Sequence, residues 1–156
     1  MLIRRAEISD IPDILRLLVQ VCNIHQDIRP DIFRRDGVKY TESDLTELLR
    51  DEARPVWCAV ENGVFLGYCF CQWKEYRDSS VSTDRKELYI DDLCVDEAAR
   101  GKGVATELFR HVTAVAKAAG ANFLTLNVWE GNSALRFYEK MGMKPRKVFM
   151  DLPLED

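Results

Sequence analysis

Apolar residues recur at intervals of three and four near the amino terminus, which is the spacing of a buried helix face. These residues are Ile11, Ile14, Leu15, Leu18 and Cys22. Ser9 or Asp10 can cap such a helix, and Pro12 is tolerated in its first turn. We therefore predict a helix that runs to about residue 24.

A second helix is predicted over residues 41–52, because Thr41 and Asp44 have the spacing of a capping box before an apolar stripe. The stripe consists of Leu45, Leu48 and Leu49. The same periodicity predicts a third helix over residues 103–119, which Gly120 ends, and a fourth that begins near Asn132.

Strands are predicted where apolar, β-branched and aromatic residues alternate or run together between turn residues. These runs are residues 1–7, the two arms of a hairpin over 55–76, and residues 87–95, 122–129 and 147–154. Asn62-Gly63 is the dipeptide that a tight hairpin turn prefers. The order β-α-α-β-β-β-α-β-α-β predicts a single mixed α/β domain over residues 1–156, built around one central sheet.

The segment between the first two helices is long and mixed in charge, and Pro30 and Gly37 interrupt it. Connections of this length in a compact domain are usually functional or mobile. Charged and polar residues of both signs are concentrated here: His25, Asp27, Arg29, Asp31, Arg34 and Arg35. Such a mixture could recognise an amino acid, a peptide terminus, a polyamine or a sugar amine, or form a solvated loop.

Composition and net charge limit the classes of protein that fit this sequence. The 156 residues are 47% hydrophobic and 31% charged, enough for one substantial core, and the net charge of −4 argues against a general nucleic-acid binder. Five cysteines without paired spacing predict reduced, buried thiols and no metal site. No apolar run reaches the length of a signal peptide or a membrane span, so we expect a cytoplasmic protein without a membrane partner.

The glycine-containing loop before the third helix predicts an anion site. A Walker loop is excluded, because Asp96 stands where its first glycine belongs and Gly103 replaces its hydroxyl residue. A dinucleotide-binding fingerprint is weak, because Thr106 occupies its third small position. The pattern Arg/Gln-x-x-Gly-x-Gly/Ala fits residues 100–105, and it would let backbone N–H groups approach a pyrophosphate at a helix N-terminus.

Two adjacent carboxylates, Asp91 and Asp92, interrupt the apolar strand at residues 87–95. A carboxylate in a core strand is costly unless it is hydrogen-bonded or functional. Neighbouring strand residues face opposite sides, so one of the two would point into a cleft unless a bulge re-aims both. Capping a loop or pairing with arginine remains an alternative for each.

The run from Glu87 to Gly142 resembles the acetyl-CoA-binding half of the GNAT superfamily of N-acetyltransferases. The resemblance rests on the glycine loop and on the later Asn…Phe-Tyr…Gly segment. It implies a GNAT-like acyl-CoA N-acyltransferase fold, a largely antiparallel mixed sheet with helices on both faces. The residues that it assigns to coenzyme A are Leu93, Cys94, Val95, Arg100, Gly101, Lys102, Gly103, Val104, Ala105, Thr106, Asn132, Leu135 and Tyr138.

The resemblance also implies an activity: transfer of an acetyl group from acetyl-CoA to a primary amine by direct attack. Asp91 is the first choice as base and Asp92 the alternative, an acidic pair similar to that of diamine acetyltransferases. The Leu93 backbone N–H is the expected oxyanion donor, and Tyr138 is the expected acid toward the thiolate. By spacing alone, an aromatic residue such as Tyr138 is more often a core residue.

The acceptor would be a small cationic amine, an amino acid, an aminoglycoside or a peptide amine. Family members are often dimers, so a homodimer is expected. The alternative function is a non-catalytic acyl-CoA sensor on the same fold.

Overall fold

A computed structural model describes residues 1–154 as a five-stranded sheet with four helices. The strands are β1 (Leu2–Arg5), β2 (Val56–Glu61), β3 (Val64–Tyr76), β4 (Arg85–Val95) and β5 (Phe123–Leu126), in that spatial order. The helices are α1 (Ile11–Ile28), α2 (Glu42–Leu48), α3 (Val104–Ala118) and α4 (Ala134–Lys140). Every neighbouring pair of strands is antiparallel except β4 and β5, which run parallel.

Both faces of the sheet are covered by helices, which confirms the predicted fold class. Successive residues of β3 alternate between two apolar clusters: Tyr68 and Phe70 pack with α1 and α2, whereas Cys69 and Cys71 pack with α3 and with Tyr138 of α4. A strand covered on both sides must be apolar on both sides, which explains the continuous apolar run in β3. The central strands are thereby fixed between two layers of helices.

The observed ends of the first two helices differ from the predicted ends. The first helix continues to Ile28 rather than ending near residue 24, so the connecting loop begins at Arg29. The boundary fits the position of Pro30, because the residue before a proline is disfavoured in a helix. Helix α2 keeps its predicted Thr41–Asp44 capping box but ends at Leu48. None of the helices within residues 1–154 is both long and apolar enough to cross a membrane.

The prediction of a last strand over residues 147–154 is wrong. Val148, Phe149 and Met150 are 79%, 95% and 83% exposed, and no strand within residues 1–154 pairs with the outer edge of β5. The segment is held at two points, where Arg146 binds Glu87 and Asp151 binds Arg29. An apolar alternation becomes a strand only when a neighbouring strand receives its hydrogen bonds. The expected homodimer stays a prediction.

All five cysteines are free, as the sequence predicts. Cys69 and Cys71 lie side by side on one face of β3, with their Sγ atoms 3.7 Å apart. Cys22 is the least buried of the five and donates to the Arg34 carbonyl. The four buried thiols, Cys58, Cys69, Cys71 and Cys94, serve as small packing residues in the two cores.

Candidate functional site

The site lies where β4 and β5 separate. The two strands pair from Glu87–Phe123 to Ile90–Leu126, and β4 then continues to Val95 beside β3. Within residues 1–154, no strand pairs with this edge of β4 beyond Ile90. The predicted coenzyme residues Leu93, Cys94 and Val95 lie on the open edge, where an extended chain could add itself as a strand.

The Cys94 side chain does not face such a ligand. Its side chain is buried in the α1–α2 core, and its Sγ lies 3.6 Å from the Leu17 carbonyl oxygen, to which it donates. Burial raises the pKa of this thiol to about 12. A neutral thiol turned into the core has no chemical part in the site.

A β-bulge in β4 turns both aspartates toward the α1–α2 face of the sheet. Phe70 pairs with Asp92 and Cys71 pairs with Ile90, which leaves Asp91 as an extra residue. The Tyr68 hydroxyl donates to Asp92 at 2.8 Å, and the Tyr40 hydroxyl donates to Asp91 at 3.2 Å. Of the two geometries that the sequence left open, the structure has the one in which a bulge aims both side chains to one side.

Asp92 lies at the floor of the site, surrounded by protein although part of the residue still reaches solvent. Desolvation raises the pKa of its carboxyl to about 6, and the hydrogen bond from Tyr68 offsets part of this rise. A carboxyl with this pKa exchanges protons close to neutral pH. That is the property a general base needs.

Asp91 lies nearer the surface and is paired with a cation. Lys39 Nζ, from the loop between α1 and α2, lies 2.6 Å from Asp91 Oδ2, which also accepts from Tyr40. Desolvation lowers the pKa of Lys39, but the hydrogen bond and charge of Asp91 outweigh it, so the pKa is raised. The lysine is therefore protonated at neutral pH, and Asp91 holds an ammonium group.

Tyr138 is buried on the opposite face of β4, between α3 and α4. Its ring packs against Phe109 and Phe137, with centroids 6.3 and 5.3 Å away. Burial is the main cause of a raised pKa, and the nearby acidic groups of Cys69 and Asp92 raise it further. Its hydroxyl thus keeps its proton at neutral pH and can act as a donor but not as a base.

The predicted anion loop joins β4 to α3, with left-handed glycines at both turns. The φ angles of Gly101 and Gly103 are +76° and +80°, and Gly103 caps α3 without a side chain. Among residues 1–154, apart from each glycine and its chain neighbours, no atom lies within 4 Å of the position that a Cβ would take at either glycine. The first-turn N–H groups of an α-helix have no partners inside the helix, so those of Val104, Ala105 and Thr106 can bind an anion.

The two cationic side chains of this loop fold back on the preceding turn. Lys102 Nζ donates to the Ala98 carbonyl at 3.0 Å, and Arg100 Nε donates to the Val95 carbonyl at 3.4 Å. In this arrangement they brace the loop and add positive charge beside it. The anion site consists chiefly of main-chain donors.

Helix α4 begins two residues later than predicted, at Ala134. Ser133 is the N-cap residue and makes no side-chain capping hydrogen bond, but Asn132 Oδ1 accepts a hydrogen bond of 2.9 Å from the Ala134 N–H and so caps this first-turn group. Leu135 is 37% exposed and lies on the outer side of the helix. The cap therefore fixes the helix that carries Tyr138.

The charged residues predicted near the acceptor largely neutralise one another. Arg29 binds Asp31 and Asp151, and Arg35 binds Asp27. Asp27 and Arg29 line a groove of about 520 Å³ between the end of α1 and residues 129–131. His25 packs against Phe33, and burial together with the charge of Lys39 lowers its pKa.

Sequence reasoning missed the three residues that contact the carboxylates: Lys39, Tyr40 and Tyr68. In the sequence, Tyr68 looks the same as the other aromatic residues of an apolar strand. Lys39 and Tyr40 lie 52 and 51 positions from Asp91 in the chain. No local pattern signals a contact across such a separation.

Known proteins share both the sequence pattern and the fold. Residues 18–143 match the family model described as the acetyltransferase (GNAT) family. A mutant form of the BH1408 protein from Bacillus halodurans is 31% identical, with a TM-score of 0.95 over 99% of this chain and 100% of that chain. No curated protein matches the chain.

More distant structures share the fold alone. An acetyltransferase from Vibrio fischeri is 24% identical, with a TM-score of 0.68 over 83% of this chain and 97% of that chain. An aminoglycoside acetyltransferase from an uncultured soil metagenomic sample is 21% identical, with a TM-score of 0.69 over 98% and 97%. The family match spans most of the chain and includes the open edge of β4, both aspartates and the glycine loop. On this ground, the chain belongs to the acetyltransferase (GNAT) family.

Proposed function

We propose that the protein is an N-acetyltransferase that moves an acetyl group from acetyl-CoA to a primary amine by direct attack. The observation that carries this proposal is the bulge at Asp91, which places two carboxylates beside the open edge of β4. The glycine loop follows at the end of the same strand. One strand thus joins an anion site to a proton acceptor.

The loop and the start of α3 would bind the coenzyme A pyrophosphate through main-chain donors. Each hydrogen bond to a charged group contributes about 1.5–3 kcal/mol, and the helix dipole adds about 0.3–1 kcal/mol. The open space beside Gly101 and Gly103 supports this assignment, because a phosphate must approach the backbone closely there. No metal ion is needed for such a site.

The pantetheine arm would lie along β4 from Val95 back toward Asp91. Four residues of strand span about 13 Å, so an arm held as an added strand leads from the anion site to the carboxylates. The Leu93 N–H lies on this edge, and we assign it to the oxyanion that forms when the amine attacks the thioester.

The two aspartates would have different roles toward the acceptor amine. Asp91 would bind the acceptor ammonium, since it already holds an ammonium group in the structure. Asp92, with a pKa of about 6, would be the general base. Tyr138 would then protonate the departing coenzyme A thiolate, for which its retained proton suits it. This division takes Asp92, the alternative in the sequence analysis, as base in place of its first choice, Asp91.

The acidic pair favours a cationic primary amine as acceptor. The fold is shared with an aminoglycoside acetyltransferase, so aminoglycosides belong in the first panel of acceptors. Alkyl diamines, amino acids and lysine-containing peptides complete that panel, because each offers a primary amine.

The test combines calorimetry of acetyl-CoA binding with thiol release over the amine panel. We expect binding, thiol release with at least one amine, and loss of turnover in the Asp92→Asn/Tyr138→Phe double variant with acetyl-CoA affinity retained. A protein that binds acetyl-CoA yet releases no thiol with any amine would be the sensor instead. A protein that binds no acetyl-CoA would contradict both functions.

A further inference from the structure

We propose that Lys39 is itself an acetyl acceptor, so that the protein acetylates its own acceptor loop when no outside amine fills the site. The inference rests on the proposed acetyltransferase function. Its basis is a contact within the chain: the Lys39 ammonium lies 2.6 Å from Asp91, in the position assigned above to the acceptor amine.

The surroundings of Lys39 Nζ form a primary-ammonium site. Asp91 supplies the counter-charge, and the Tyr40 hydroxyl donates to the same carboxylate oxygen. The Tyr40 ring lies 5.4 Å from Nζ, within the range of a cation–π contact. A carboxylate, a hydroxyl and an aromatic ring would recognise any alkylammonium in the same way, so the lysine stands where a substrate would.

The loop that carries Lys39 is fixed to the rest of the fold. The Tyr40 ring stacks on Phe70 at 5.7 Å with an interplanar angle of 15°. Asn23 of α1 exchanges two hydrogen bonds with Asp36, of 2.9 and 2.7 Å. A Cβ at Gly37 would lie 2.9 Å from Cys22 Sγ, so the loop also lies directly against α1. These contacts hold Lys39 in the site, so its placement follows from the packing of the whole loop.

The thioester would reach the same point from the other side. Asp91 follows Ile90, the last residue of β4 that pairs with β5, and thus marks one end of the open edge. An arm that starts at the glycine loop and follows β4 ends beside it. The Lys39 side chain is 48% exposed, which leaves Nζ room to move from Asp91 toward the carbonyl carbon.

The transfer moves the acetyl group from sulfur to Nζ of Lys39. Nζ gives one proton to the aspartate pair, and the neutral amine attacks the thioester carbonyl, forming a C–N bond. The C–S bond breaks, the thiolate takes a proton from Tyr138, and the second proton leaves nitrogen through solvent and restores the Tyr138 hydroxyl. The proton held by the aspartate pair is then released to solvent. The products are acetyl-lysine, coenzyme A and one released proton. No oxidant or reductant takes part.

The experiment incubates the purified full chain with acetyl-CoA alone and measures acetylation of each lysine by peptide mass spectrometry. Lys117, an exposed lysine on α3, reports spontaneous chemical acetylation in the same sample. We expect Lys39 to gain one acetyl group at least about 10²-fold faster than Lys117, the low end of what a positioned base contributes. The rate constant should not change with protein concentration, because the reaction is within one chain.

Three variants and a competing outside amine test the same proposal. Lys39→Arg should abolish the fast acetylation, and the matched Lys117→Arg should leave it intact. Asp91→Asn should slow it, and an outside amine that the wild-type protein acetylates should suppress labelling of Lys39 by competition. A rate that rises with protein concentration would overturn acetylation within one chain.

The inference and the proposed function fail in different ways. If the wild-type protein releases coenzyme A with outside amines while Lys39 reacts no faster than Lys117, the inference is overturned and the proposed function stands. If neither outside amines nor Lys39 are acetylated, both are overturned.

Discussion

The Tyr68 hydroxyl donates a hydrogen bond of 2.8 Å to Asp92 Oδ2, across the ladder between β3 and β4. This bond favours the charged carboxylate and works against the desolvation that raises the pKa of Asp92 to about 6. The tyrosine therefore sets the pH at which the proposed base becomes active.

Tyr68→Phe should move the acidic limb of the pH–rate profile to higher pH. Without the hydrogen bond, the charged form of Asp92 loses about 1.5 kcal/mol, which raises its pKa by about one unit. The measurement is kcat/KM against pH. Tyr76→Phe, in the same strand but at its exposed end, is the matched control and should leave the limb in place. An unchanged limb in Tyr68→Phe would show that Asp92 is not the base.

Asp92→Asn should stabilise the fold at pH 7 while it removes activity. The folded-state pKa is raised above the unfolded value, so the folded protein binds the proton more tightly and loses stability as pH rises from about 4 to about 6. The pKa is raised by about two units at about 1.4 kcal/mol each, so removing the charge should restore up to about 3 kcal/mol of unfolding free energy at pH 7. Urea denaturation of both proteins measures this.

The same comparison at pH 3.5 supplies the control for the stability effect. There the carboxyl is protonated in the folded protein, so the two proteins should be nearly equally stable. A gain of the same size at both pH values would mean that packing, and not the charge, is responsible.

Gly103→Ala should weaken acetyl-CoA binding. Its φ of +80° costs a residue with a Cβ about 1–2 kcal/mol, and relief of that strain would turn the N–H groups of the loop away from the pyrophosphate. We expect the dissociation constant measured by calorimetry to rise about tenfold, which corresponds to about 1.4 kcal/mol.

Gly63→Ala is the matched control for this variant. Gly63 has a φ of +77° and equally open surroundings, but it lies in the hairpin turn between β2 and β3. Both variants should lose similar stability, and only Gly103→Ala should lose affinity. Equal affinities would remove the glycine loop from the coenzyme site.

Tyr138→Phe should lower kcat by about 10²-fold or less, the low end of general acid catalysis, because coenzyme A thiolate is a tolerable leaving group. The ring still packs against Phe109 and Phe137, so stability and acetyl-CoA affinity should be nearly unchanged. Steady-state kinetics with the best acceptor of the panel gives the value. Wild-type turnover in this variant would leave Tyr138 as a core residue only.

Local chemistry of the chain was enough to predict most of the elements. The Asn62-Gly63 turn, the Thr41–Asp44 capping box, the Gly120 stop and the apolar stripes of α1 and α3 each depend on neighbours within a few positions. Propensities and capping act over that range, so a single sequence reveals them. The glycine loop belongs to the same class of signal.

Only the tertiary structure decided the arrangement at Asp91 and Asp92. The bulge depends on the register between β3 and β4, and Lys39 reaches Asp91 across 52 positions of chain. Residues 147–154 also depended on the tertiary structure. They have the alternation of a strand, but no strand within residues 1–154 lies beside them to pair with. The register of a strand and the strand with which it pairs both depend on which segments pack together. The sequence by itself therefore determined most of the elements and the glycine loop, whereas packing decided where the carboxylates point and which groups they bind.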